Sequence, residues 1–90
     1  MGYEAVSVTT NATKIVSQNP KRQSLIIVNT DTTNKLYIGP DSSITTSNGI
    51  EIGTTGGSLT EDSGGTKVYC GDIYGISTGT ISVRYWERTT

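Results

Sequence analysis

The β-branched side chains constrain this chain more than any other feature. Thr, Ile and Val fill 32 of its 90 positions (16, 10 and 6), against two Ala, three Leu and one Met. β-Branched residues lose side-chain freedom against the preceding turn of a helix, yet they pack well on a pleated surface. The best helix formers are almost missing. The sequence therefore predicts an all-β domain: a small antiparallel β-sandwich or jelly-roll-like barrel of about seven to nine short strands. Ninety residues leave room for one domain, residues 1–90, with flexible ends expected at about 1–3 and 88–90.

Turn signals divide the chain roughly every ten residues. Ala5 to Thr9 alternates, and Thr13 to Ser17 follows across Thr10-Asn11-Ala12, so the two read as a pair of strands. Asn19-Pro20 breaks the ladder. The run Ser24-Leu25-Ile26-Ile27-Val28-Asn29 is continuously apolar at its centre, which predicts a strand buried on both faces. Lys35 to Gly39 reads as a second central strand, antiparallel to that run. Pro40 to Gly49 is a polar loop ending in the turn dipeptide Asn48-Gly49, and Ile50-Glu51-Ile52 is a short strand. Gly53 to Gly65 reads as a glycine-rich loop anchored only by Leu59. Thr66 to about Ser77, and Thr80 to Trp86 beyond Gly79, read as two closing strands.

Several chemistries are excluded at once. The chain has no His, so it holds no Ser-His-Asp or Cys-His pair, no His-type zinc site and no histidine base. A single cysteine, Cys70, allows no internal disulfide. A net charge of −1 offers no basic footprint for nucleic acid. The first ten residues lack the pattern of a secretory signal, and no apolar run approaches 18 residues, so no membrane partner is expected. Gly53-Thr54-Thr55-Gly56-Gly57-Ser58 lacks the Gly-Lys-Ser/Thr ending of a phosphate loop. No metal and no cofactor is expected. Asp31-Thr32-Thr33-Asn34 and Glu61-Asp62 supply loop oxygens, but neither has calcium-loop spacing.

Only 32% of the residues are hydrophobic. A domain of this size buries only about 60–65% of its unfolded surface even when well packed. With no disulfide or metal to staple it, the chain is expected to associate with copies of itself. Open sheet edges make the same demand.

The order of short motifs points further. Asn19-Pro20-Lys21-Arg22-Gln23-Ser24-Leu25-Ile26-Ile27-Val28-Asn29 is followed by Leu36-Tyr37-Ile38-Gly39, Thr45-Thr46-Ser47-Asn48-Gly49-Ile50, Val68-Tyr69, Ile73-Tyr74-Gly75-Ile76-Ser77 and Ile81-Ser82-Val83. Over roughly residues 5–87 this resembles the small β-sandwich structural proteins of tailed bacteriophages and related prokaryotic viruses. The resemblance implies a non-enzymatic virion component, assembled in the host cytoplasm. It also implies a homo-oligomer, a trimer or pentamer, that contacts the major capsid protein or other virion proteins. No catalytic residue comes with it.

Three residues stand out as interface candidates: Arg22, Arg84 and Trp86. Arg22 leaves a loop ahead of the apolar run, where its guanidinium fork suits a carboxylate of a neighbouring subunit or, alternatively, of its own sheet edge. On the last strand, period-2 geometry sets Arg84, Trp86 and Arg88 on one face and Ile81, Val83 and Tyr85 on the other. The apolar set belongs to the core, which leaves the only Trp facing out between two arginines, an anchor composition or, alternatively, a Trp that closes the end of the sandwich over its own chain. Tyr37, Tyr69, Tyr74 and Tyr85 admit a second reading, an aromatic platform for a glycan.

Overall fold

Apolar side chains recurring at every second position need one sheet face covered, and two four-stranded sheets stacked on each other supply the cover. The structure, a computed structural model, describes residues 2–62 and 68–89, except for the side chains of Glu61 and Asp62. Its strands are β1 (Tyr3–Val8), β2 (Thr13–Val16), β3 (Arg22–Asn29), β4 (Leu36–Gly39), β5 (Ile50–Ile52), β6 (Gly57–Asp62), β7 (Ile73–Ser77) and β8 (Ile81–Thr89). The first sheet runs β1-β8-β3-β6 and the second β2-β7-β4-β5, antiparallel throughout.

These orders have a simple origin. β1 pairs with β8, β2 with β7, β3 with β6 and β4 with β5, as if one long hairpin had been rolled up and its successive pairs dealt to alternate sheets. That is the jelly-roll arrangement of two Greek keys. Only β4 and β5 are both consecutive and paired; every other connection crosses between sheets.

The crossings correct several sequence expectations. β1 and β2 are not a hairpin: they lie in opposite sheets, which brings Val8 and Ile15 into one interior from two sides. β3 and β4 likewise occupy different sheets, as do β7 and β8. β3 is not buried on both faces. Leu25, Ile27 and Asn29 point inward, while Ile26 and Val28 are half-buried on the outside, because a two-layer sandwich covers one face only. The glycine-rich segment supplies β6, whose Leu59 packs against the core. Of the strand expected from Thr66, residues 66–67 lie outside the described residues and Val68–Asp72 form a loop; β7 begins at Ile73. The expected flexible ends are partly strand: Tyr3 pairs with Trp86, Arg88 with Ser24 and Thr89 with Arg22.

The core is built from Val8, Ile15, Val16, Leu25, Ile27, Leu36, Ile38, Ile52, Ile73, Ile81 and Val83. Burial of side chains this size contributes about 1.5–3 kcal/mol each. Gly75 faces the same interior, and a Cβ there would lie 2.5 Å from Ile15 Cδ1 and 3.0 Å from Leu36 Cδ1, so the bare backbone makes room for both. Outside the second sheet, Ile44 folds back from the 40–49 loop onto Gly39, where any side chain would collide with it.

Candidate functional site

A buried polar knot closes one end of the sandwich, and Arg22 is its centre. The register of β3 against β8 slips between Arg22 and Ser24, so Arg22 turns inward, whereas strict alternation would have set it outside with Ser24 and Ile26. Its side chain is fully enclosed. Nε donates to Glu87 Oε2 at 2.6 Å, one Nη donates to the carbonyls of Tyr69 (2.8 Å) and Gly71 (3.1 Å), and the other to that of Ser17 (2.9 Å). Asn19 Nδ2 donates to the second Glu87 oxygen at 3.4 Å. The guanidinium therefore ties β8, the 68–72 loop and the end of β2 together. It presents nothing to a neighbouring subunit. The intrachain alternative describes Arg22, and its place among the interface candidates lapses because its side chain is enclosed and four of its five N–H donors are engaged inside.

Asn29 organises the opposite end of β3. Fully buried, it donates through Nδ2 to the carbonyls of Asn34 (3.0 Å) and Gly53 (3.2 Å), and its Oδ1 accepts from the Asp31 amide (3.0 Å). Asp31 then accepts from the amides of Asn34 (2.6 Å) and Thr33 (3.0 Å), which hold its carboxyl below the ordinary carboxylate range. That oxygen is consumed by its own turn, and no cluster of three acidic, Cys or His ligands occurs among the described residues. The side chains of Glu61 and Asp62, the other pair considered for calcium, lie outside the described residues.

The outer face of the first sheet carries Arg84 and Trp86 together, as period 2 predicts. Trp86 is 59% exposed, with Arg84 and Arg88 exposed on either side of it along β8. Register adds what sequence alone could not: Tyr3 of β1, 63% exposed, lies directly across from Trp86 on one side, and Ile26 of β3 on the other. Arg84 sits between Ala5 and Val28. The result is a row of Tyr, Trp and Ile bordered by two cations. Tyr85, one position away, faces in. Its hydroxyl donates to Glu4 Oε2 at 3.2 Å, and partial burial together with that carboxylate raises its pKa.

Of the tyrosines expected as a glycan platform, the register of β4 against β7 sets two, Tyr37 and Tyr74, diagonally on one face, and the other two lie elsewhere. Tyr37 and Tyr74 stand half-buried on the outside of the second sheet, with Lys14 Nζ 5.8 Å from the Tyr74 ring centre. Tyr85 belongs to the other sheet. Tyr69 lies on the 68–72 loop, its hydroxyl donating to the Asp72 carbonyl at 2.9 Å. Beside it, Ile38, Ile50, Leu59 and Ile73 line an apolar cleft of about 330 Å³ with no described acid, base or free nucleophile. Cys70 is half-buried, its thiol 3.4 Å from the Val68 carbonyl.

No family model, no curated protein and no solved structure matches this chain.

Proposed function

We propose that this chain is a virion structural protein of a tailed bacteriophage or related prokaryotic virus: a capsid decoration, vertex or spike component that acts by docking rather than by catalysis. One observation carries the reading. The outer face of the first sheet leaves Trp86, Tyr3 and Ile26 in or near solvent between Arg84 and Arg88. Trp, Tyr and Arg are the residue types that dominate binding hot spots, and a flat sheet face suits a broad protein surface better than a small molecule. Arg84 and Arg88 favour an acidic surface opposite, and among the described residues the one carboxylate residue whose register position falls on that face is Asp62, across Ser24 from Arg88. The jelly roll supports the reading without deciding it, because capsid and lectin domains share the architecture. Symmetry then multiplies a modest contact into stable occupancy.

The adjacency of Tyr3 and Trp86 also supports a second reading, a receptor-binding module, since two neighbouring aromatic faces suit the stacking of a sugar ring.

Purified particles decide between them. The virion reading expects the protein at a copy number set by icosahedral symmetry. Trp86→Ala with Arg84→Glu is expected to lower occupancy at least about tenfold, the loss of one hot spot, with the melting temperature unchanged. Absence from particles overturns it, and retention on host polysaccharide that is lost in Trp86→Ala favours the second.

A further inference from the structure

The four open edges of the two sheets are treated very differently by this sequence. β2 is four residues long, its register slips between Lys14 and Val16, and it carries Lys14. β5 is three residues long, with Glu51 paired to Lys35 at 3.2 Å. β6 ends on Glu61-Asp62. Short length, irregular register and charge are the ordinary means of keeping an edge from pairing with another chain. Of these β1 has only a single charge, Glu4, which accepts a hydrogen bond from the Tyr85 hydroxyl at 3.2 Å. The strand is six residues long, holds unbroken register against β8 from Tyr3 to Val8, and contains no Pro, Lys or Arg.

Its main chain is poised as well. The Glu87 amide donates to the Gly2 carbonyl. In an antiparallel ladder the bonded residues alternate, so Gly2, Glu4, Val6 and Val8 bond toward β8, and Tyr3, Ala5 and Ser7 turn their N–H and C=O groups to the open side. All three of those residues are exposed, and no described strand lies on the side of β1 away from β8.

We propose that β1 is the site where a second copy of this chain adds on, β1 against β1′ antiparallel about a two-fold axis, joining two four-stranded sheets into one of eight strands. The proposal rests on the oligomeric virion reading and names the surface through which copies meet. The register follows from the residues. Centring the axis on Ala5 sets Ala5 against the partner's Ala5, Tyr3 against the partner's Ser7, and Glu4 against the partner's Val6. Every outward-facing main-chain group of Tyr3, Ala5 and Ser7 then finds a partner. The smallest side chain lies on the axis, each Tyr3 ring covers a serine, and the one charge on the strand meets valine rather than its own copy. Such a contact is isologous and closed, a pair rather than the ring of a trimer or pentamer.

The test uses the full chain in solution, with mass measured by light scattering over a dilution series and amide exchange followed residue by residue. The expected result is a two-copy mass that falls to one copy on dilution. Amides of Tyr3, Ala5 and Ser7 are expected to exchange at least about tenfold more slowly in the pair, while those of Glu4, Val6 and Val8 stay protected in both states. Ala5→Pro removes only an outward N–H, which an edge strand tolerates, and is expected to weaken pairing at least about tenfold. Ser7→Lys, which places a charge on the same edge without touching the backbone, is expected to do the same. A one-copy mass at all concentrations overturns the proposal. So does a pair that survives both variants, or protection of Tyr3, Ala5 and Ser7 that appears only when another virion protein is bound. Presence on particles is scored separately, so a pair absent from virions refutes the function while leaving the β1 contact standing.

Discussion

Replacing Arg22 with Ala separates a structural arginine from an interfacial one. The substitution leaves Glu87, whose side chain is only 12% exposed, with Asn19 at 3.4 Å as its remaining described partner, and it strips a donor from the carbonyls of Ser17, Tyr69 and Gly71. Removing one partner of a buried ion pair costs about 3–5 kcal/mol. A domain this size has a total stability of about 4–13 kcal/mol, so the loss is a large share of it. At about 4–8 °C per kcal/mol, the melting temperature is expected to fall by about 12–40 °C. Urea unfolding followed by far-UV circular dichroism is the suitable assay, because Trp86 is already largely exposed in the folded state and its emission reports unfolding poorly. Arg22→Lys is expected to lie between, since an ammonium reaches some of the acceptors but cannot hold the planar fork. Glu87→Gln completes a double-mutant cycle with Arg22→Ala, with a coupling of about 0.5–3 kcal/mol expected. A change under about 1 kcal/mol in Arg22→Ala, or an altered assembly mass with unaltered stability, would refute the intrachain assignment.

Two further substitutions probe the loops. The amides of Asn34 and Thr33 depress the Asp31 carboxyl below its ordinary value of 3.8, so its stabilisation is complete above that value and is lost as pH falls through the lower, folded one. Asp31→Asn is expected to flatten the stability profile below about pH 4 relative to the parent, and an NMR midpoint for Asp31 at or above 3.8 contradicts the turn. A Cβ at Gly39 would collide with Ile44, so Gly39→Ala is expected to cost about 1–3 kcal/mol in thermal melts. The same change should cost little in an Ile44→Ala background, and equal costs in both backgrounds would show that the loop does not rest on that sheet.

Alternation made much of the first sheet readable from sequence. Ile81, Val83 and Tyr85 face in and Arg84, Trp86 and Arg88 face out because β8 keeps a regular pleat through its whole length. Where the pleat slips, the pattern misleads. The break between Arg22 and Ser24 turns a residue of the outer parity into the interior, and the break between Lys14 and Val16 buries both Ile15 and Val16. Glu87 was within reach of the same reasoning, since it shares a face with Ile81 and Val83, but its partner was hidden by the slip. Sheet membership was not legible either. Local turn signals say that the chain reverses, not whether it returns to its own sheet or crosses to the other, and here nearly every connection crosses. Tyr3 beside Trp86 is the clearest case: 83 residues apart in the chain, they become neighbours only through the pairing of β1 with β8.

The position of β8 also dictates when the molecule can fold. β8 is wedged between the first strand and the third, so the first sheet cannot close until Ile81–Thr89 has left the ribosome. Until Ile81–Thr89 emerges, Tyr3–Val8 has no partner of its own, and a nascent chain stalled before that point would carry an adhesive ribbon with both sides bare.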